Sequence, residues 1–350
     1  MRYDAMHGME SLPRYVYFAA LAILGLAIGY SLWGIQEHSV RFDAQGRVVA
    51  AEEGAYWAQR IRVFGGPAAY TEFARAVENL TPRQQHSAAH VFGDALFENA
   101  SLREGIGTCD SRFTMGCFHA LFGAAAVTMG TDSFLNEMQT ACTGRTRGME
   151  RLCLHGVGHG ILGSIGYETE DLVRALELCE RIPDAGNITT GCWGGAFMEH
   201  NVQTLISLDS PERPLSEENM FEPCLVLPEK YRNSCMFWQP TWWHVALSRA
   251  LADREIFGRM AMMCRSAPSA ALGEACIKGI GFRATWTTGY DADLIAPLCA
   301  QMQNTTDRLI CWDTARNDLR KDDAEHAAPA VCVGLEMEEY HSCSAAAGSY

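Results

Sequence analysis

Along most of the chain after residue 66, apolar side chains recur with the spacing of an amphipathic helix, and short polar segments interrupt them. One kind of run carries Thr or Asp near its start and ends at a cysteine, as in T-D-S-F-L-N-E-M-Q-T-A-C. The other kind begins at a cysteine and contains more small residues, as in C-F-H-A-L-F-G-A-A-A-V. The pattern predicts an all-α fold of hairpins, each with a helix A, a short turn and a helix B.

The 14 cysteines mark these hairpins, because they all follow residue 108 and occur in pairs across the predicted turns. Successive pairs recur at about 40 residues, a period typical of helical-hairpin repeats. We expect each pair to form a disulfide that ties helix A to helix B and stabilises the hairpin by roughly 2–4 kcal/mol. Many pairings are open to this number of cysteines, and the repeat favours Cys109–Cys117, Cys142–Cys153, Cys179–Cys192, Cys224–Cys235, Cys264–Cys276, Cys299–Cys311 and Cys332–Cys343.

A cysteine-free hairpin precedes the others, since residues 67–100 contain two helical runs separated by a Thr-Pro break. The predicted repeat domain, residues 67–350, is then a row of about eight hairpins, either an open α-solenoid or a closed α/α toroid. Its layout resembles that of Sel1-like and tetratricopeptide repeat proteins, although the tetratricopeptide signature residues are absent. Residues 35–66 are expected to form a membrane-proximal linker with one helix around Tyr56 to Val63.

The N-terminal segment is different, because residues 15–34 carry no charge and have aromatic residues near both ends. Twenty such residues are enough for one helix to cross a bilayer. We therefore predict a transmembrane anchor after a short cytoplasmic stretch, residues 1–14. The alternative is a cleaved signal peptide, but the sequence that follows, S-L-W-G-I-Q-E-H, lacks a good cleavage site.

Cysteine usage and charge restrict the compartment and the partners. Disulfides persist in oxidising compartments, so we expect a single-pass membrane protein, N-terminus inside, with a periplasmic or extracellular repeat domain. A reduced cytosolic zinc protein would show C-x2-C pairs, which are absent. The net charge of −14, without a cluster of Lys and Arg, argues against a nucleic-acid partner. Nucleotide-binding fingerprints and the C-x-x-C-H haem motif are also absent, so neither a nucleotide nor haem is expected.

Histidines recur at equivalent positions in the first half of the array. His119 and His155 are each the second residue after the second cysteine of their hairpins, and His159 follows His155 by one helical turn. Imidazoles spaced in this way on adjacent helices can converge on one zinc, copper or non-haem iron ion. The predicted metal ligands on the inner surface are His86, His90, His119, His155 and His159, with Asp94, Glu199 and His200 as secondary candidates. Whether such an ion is catalytic stays open.

Two other interpretations remain at this point. The histidines could be packing residues between closely spaced helices, since Gly156, Gly160 and Gly163 form a stripe of small residues beside them. The array would then be a tethered scaffold that binds a protein, peptide or glycan partner on its concave surface. Separately, the aromatic run C-M-F-W-Q-P-T-W-W-H is either helix core or the lining of a ligand cleft. The cleft candidates are Trp238, Trp242, Trp243 and His244.

Overall fold

The computed structural model describes residues 38–319, except residues 45, 111, 144–146, 190, 207–212 and 290. This part contains 14 α-helices and no strand, only one isolated antiparallel bridge between Phe42 and Val48, so the all-α prediction is confirmed. The predicted anchor at residues 15–34 and the predicted pair Cys332–Cys343 lie outside the described residues. Across the helices that are described, none combines the length and apolarity that a bilayer crossing requires.

The helices form two rows. Each helix of the inner row packs against the next helix of that row, and the helices of the outer row pack behind them. The inner row contains α1 (Ala50–Phe64), α3 (Pro82–Asn99), α5 (Gly116–Met129), α7 (Arg147–Ile165), α9 (Cys192–Ile206), α10 (Glu229–Leu247), α12 (Ala270–Thr287) and α14 (Thr305–Leu319). The outer row contains α2 (Gly66–Ala76), α4 (Leu102–Thr108), α6 (Thr131–Ala141), α8 (Thr169–Cys179), α11 (Asp253–Arg265) and α13 (Ala292–Cys299).

Local sequence signals account for the helix ends. The Thr-Pro break predicted before α3 is a capping box, in which the Gln84 backbone N–H donates to Thr81 Oγ1 and the Thr81 backbone N–H donates to Gln84 Oε1. Helices α5 and α6 are joined at Gly130, whose φ of 76° lies in the left-handed region that glycine adopts without strain. The chain therefore reverses at these points with few connecting residues.

Six disulfides hold the hairpins, and each joins the neighbouring cysteines that the repeat predicted. Their Cα–Cα distances run from 5.3 Å for Cys224–Cys235 to 5.8 Å for Cys299–Cys311, within the normal range for a disulfide. Every cysteine of the described part is bonded. This complete pairing indicates an oxidising, extracytoplasmic environment.

The hairpin that contains Cys224 differs from the prediction. A helix A was expected before this cysteine, but the described residues 213–228 contain turns and no helix. Pro214, Pro223 and Pro228 interrupt the segment, and each proline lacks the backbone N–H that a helix interior needs. Side chains of α10 hold the segment in place instead, since Gln239 Nε2 donates to the carbonyl oxygen of Glu222 and Trp243 Nε1 donates to that of Met220.

The helix predicted around Tyr56 to Val63 is longer than expected and belongs to the inner row. Helix α1 packs against α3, and Trp57 is fully buried between Phe73 and Phe92, with ring centroids 5.3 and 5.7 Å away. The described residues before α1 contact it through the buried Glu53, whose Oε2 lies 2.6 Å from His38 Nε2. Residues 38–64 therefore pack as part of the helical array.

The disulfides are expected to contribute measurably to stability. In the double variant Cys142→Ala/Cys153→Ala the loop between α6 and α7 is no longer closed, so the free energy of unfolding should fall by roughly 2–4 kcal/mol. Chemical denaturation monitored by circular dichroism measures this difference. An unchanged free energy of unfolding would show that the hairpin does not depend on its covalent link.

Candidate metal centre

The inner helices approach so closely at glycines that their backbones touch. A Cβ atom added at Gly195 of α9 would lie 1.8 Å from the carbonyl oxygen of His155 of α7, and one added at Gly158 would lie 2.0 Å from that of Cys192. On the other side of α7, a Cβ at Gly160 would lie 2.8 Å from the carbonyl oxygen of Phe122 of α5. Only glycine fits at such positions, so these residues set the spacing of the helices that carry the histidines.

Two histidines of α3 form the first pair. His86 and His90 are one turn apart, and their Nε2 atoms are 3.0 Å from each other. His86 Nδ1 lies 2.8 Å from the carbonyl oxygen of Phe113, which can only accept a hydrogen bond, so this nitrogen carries the proton. Neutral His86 therefore presents the lone pair of Nε2 toward His90, which is the tautomer that a metal ligand requires.

Two histidines of α7 form a second pair with similar geometry. The Nε2 atoms of His155 and His159 are 3.2 Å apart, and His159 Nδ1 lies 2.8 Å from Glu199 Oε2 on α9. Tyr167 donates its hydroxyl proton to the other oxygen of Glu199, at 2.8 Å. The Met198 sulfur lies 3.4 Å from His155 Nε2. A carboxylate that fixes a histidine in this way is a common outer partner of metal-bound imidazoles.

His119 of α5 lies between the two pairs. Its ring stacks on that of His159 with centroids 3.9 Å apart, and its centroid lies 5.3 Å from that of His86. The side chain is buried, with only 6% of its surface exposed. Within the described part of the chain, neither of its ring nitrogens has a hydrogen-bond partner. Leaving a buried polar atom unpaired costs about 1–3 kcal/mol, so this position calls for a ligand.

The donor atoms are close enough to share an ion. One set, His86, His90 and His119, has ligand atoms that all lie within 4.8 Å of one another, and so does a second set, His119, His159 and Glu199. Two nitrogens on one tetrahedral ion are about 3.3 Å apart when each metal–nitrogen bond is about 2.0–2.1 Å. The Nε2–Nε2 distances of 3.0 and 3.2 Å in the two pairs are close to that separation.

Burial favours the neutral form of the three imidazoles of the first set. It lowers the pKa of His86 despite the hydrogen bond to Phe113, and together with the charge of His86 it lowers the pKa of His90 to about 3. Burial and the surrounding histidines hold the pKa of His119 well below its ordinary value. Burial alone would raise the pKa of Glu199, but the hydrogen bonds from His159 and Tyr167 outweigh it and the pKa is lowered. At neutral pH His86, His90 and His119 are therefore neutral imidazoles, and Glu199 is a carboxylate.

Three of the predicted ligands lie outside both donor sets. Asp94 is exposed and belongs to neither set. His200 also belongs to neither, because its Nε2 lies 3.1 Å from a guanidinium nitrogen of Arg213. His155 belongs to neither set, although its Nε2 lies 3.2 Å from His159 Nε2. Met198 and Tyr167 were not among the predicted site residues, although Met198 precedes Glu199 and Tyr167 closely follows the end of α7.

The aromatic run of α10 is mainly core. Trp238 and Trp243 are buried, and their indole nitrogens donate to the carbonyl oxygens of Ile188 and Met220. His244 is also buried, with Nε2 3.3 Å from Asp253 Oδ1. Trp242 alone among the four cleft candidates lines a cavity, of about 370 Å³, where the Arg213 guanidinium stacks on its ring. This cavity lies outside both sets of metal donors.

The chain matches no protein-family model, no curated protein and no solved structure. The functional conclusion therefore depends on the geometry and chemistry of the histidine cluster.

Glycine contacts in the inner row can be tested by adding one methyl group. In Gly195→Ala the new Cβ meets the backbone of α7, so we expect the free energy of unfolding to fall by about 1–3 kcal/mol. The matched control is Gly123→Ala in α5, where nothing lies within 4 Å of the added Cβ. That variant should gain about 0.5–1 kcal/mol from its better helix propensity. Equal effects of the two substitutions in thermal denaturation would contradict the close contact.

The unpaired nitrogens of His119 predict that this residue destabilises the metal-free protein. Replacement by an apolar residue of similar size, His119→Leu, removes two unsatisfied polar atoms and should raise the free energy of unfolding by about 1–3 kcal/mol. His159→Leu removes the hydrogen-bond partner of Glu199 and should lower the free energy of unfolding. Denaturation in the presence of a chelator measures both. If both substitutions lowered the free energy of unfolding by the same amount, the ring nitrogens of His119 would have hydrogen-bond partners in the metal-free protein.

Proposed function

We propose that this protein binds a transition-metal ion through His86, His90 and His119 on its inner row of helices, close to His159 and Glu199. The observation that carries the proposal is the state of His119, which is buried, neutral and without a hydrogen-bond partner for either ring nitrogen in the described chain. Helix packing alone supplies no reason for such a residue, because a leucine would fill the same space at lower cost.

The donor set narrows the choice of metal. Imidazole nitrogens with one carboxylate suit zinc, copper and iron, whereas calcium and magnesium prefer all-oxygen shells. A shell of three histidines leaves a coordination position open, as in catalytic zinc sites. Access is narrow, however, since His86 and His119 are buried and only His90 and Glu199 retain partial exposure. Such burial favours holding an ion, or reaction with a very small molecule, over catalysis on a large substrate.

The setting of this site is part of the proposal. The six disulfides support an oxidising compartment, and the uncharged segment at residues 15–34 would anchor the domain to a membrane from outside the cytoplasm. The anchor and its orientation stay predictions from the sequence. Capture of a protein, peptide or glycan by the concave surface is the alternative function, and it does not require the histidines to bind an ion.

Elemental analysis of the purified, oxidised full chain tests the proposal. After loading with zinc, copper or ferrous iron and gel filtration, the wild-type protein should retain at least one ion per chain. His119→Ala should lose it, since this residue is common to both donor sets. The control His244→Ala removes an equally buried imidazole from α10 and should retain the ion. A wild-type chain that retains no metal, or equal retention by the two variants, would refute the proposal.

A further inference from the structure

We infer that the cluster holds two metal ions and that His119 bridges them, with one ion on each of its ring nitrogens. This inference rests on the proposed function, because it specifies how many ions the same site takes and how the donors divide between them. The first ion is assigned to His86, His90 and His119, and the second to His119, His159 and Glu199.

Both donor sets contain His119, and this sharing favours a bridge. The first set comes from α3 and α5, and the second from α5, α7 and α9. The two sets approach the His119 ring differently: His86 and His90 meet it edge-on, with centroids 5.3 and 5.6 Å away, whereas His159 stacks on it at 3.9 Å. Because imidazole is rigid and has two nitrogens that point apart, one ring can serve two centres at once.

The two unsatisfied nitrogens of His119 also favour two ions. A single ion would occupy one nitrogen of His119 and leave the other buried without a partner, because no described residue offers a hydrogen bond to either nitrogen. A second ion removes that remaining cost. On its binding, the N–H proton of His119 is released to solvent and the ring becomes an imidazolate, with one metal–nitrogen bond formed for the N–H bond broken.

Charge distinguishes the two positions. The first set consists of three imidazoles, whereas the second contains the carboxyl group of Glu199, which also accepts a hydrogen bond from Tyr167. Negative charge from Glu199 and from the bridging imidazolate offsets part of the positive charge of the ions in this buried region. The two ions should therefore bind with different affinities, and the second step should depend on Glu199.

Zinc titration of the metal-free full chain, with elemental analysis after gel filtration, tests this division. The wild-type chain should retain two zinc ions. His86→Ala should retain one through the second set, and His159→Ala one through the first. Glu199→Gln keeps a hydrogen-bond acceptor for His159 but loses the anionic ligand, so it should also retain one. His244→Ala is the control and should retain two. Circular dichroism and the absence of free thiols check that each variant is folded.

A second readout distinguishes a bridge from two unrelated ions. Loaded with Cu²⁺, the wild-type chain should give an exchange-coupled electron paramagnetic resonance spectrum, while Glu199→Gln and His86→Ala should give the spectrum of an isolated Cu²⁺. Retention of one ion per wild-type chain, lost in every cluster variant, would overturn the bridge and leave the proposed function intact. Two ions without magnetic coupling would also overturn the bridge. Retention of none would refute both proposals.

Discussion

Direct backbone contact between neighbouring inner helices is the constraint on which this structure depends. At Gly158 and Gly195 the backbones of α7 and α9 leave no room for a Cβ, and the same holds between α10 and α12 at Gly279, where a Cβ would lie 1.9 Å from the carbonyl oxygen of Phe237. Helices held at this distance bring side chains from several hairpins into one small volume. Disulfides attach the outer helices after α2 to their inner helices, so the contacts repeat from hairpin to hairpin.

The same contacts explain why glycines and histidines occur together in L-H-G-V-G-H-G. Gly156 and Gly160 face Phe122 of α5, and Gly158 faces α9. His159 of this run reaches His119 and Glu199 of the adjacent helices, and His155 reaches Met198 of α9. Packing and metal binding are therefore not competing explanations of the run. Close packing buries the site, and burial makes an unpaired imidazole costly, which is the cost that the proposed ion would remove. The disulfides stabilise the hairpins and so offset the cost of burying these polar side chains.

The features that the sequence predicted correctly are those that depend on a periodic pattern. The all-α class and six neighbouring disulfides follow from a repeated pattern, because the same local signals occur in most of the hairpins. The pairing of His86 with His90 follows from one helical turn of spacing. Asp94 lies outside both donor sets because four residues make slightly more than one helical turn. Over two such steps its position rotates by about 80° from that of His86. Adjacent residues are about 100° apart, so Glu199 faces α7 whereas His200 turns to Arg213.

Other features depended on tertiary contacts that no local pattern encodes. The turns before Cys224 are held by Gln239 and Trp243 of α10. In the aromatic run that suggested a ligand cleft, the indole nitrogens of Trp238 and Trp243 donate to backbone carbonyl oxygens. The role of His119 likewise required three dimensions, because the sequence gives its position in the repeat but not the absence of hydrogen-bond partners around it. The site is identified by the two ring nitrogens of His119, which have no hydrogen-bond partner among the described residues.

Anomalous X-ray diffraction from crystals of the zinc-loaded protein, measured on both sides of the zinc absorption edge, tests the central claim most directly. The account predicts a peak about 2.0–2.1 Å from nitrogens of His86, His90 and His119, and a second peak beyond the opposite nitrogen of His119. A map without a peak beside His119, in a crystal of folded protein grown with excess zinc, would contradict it.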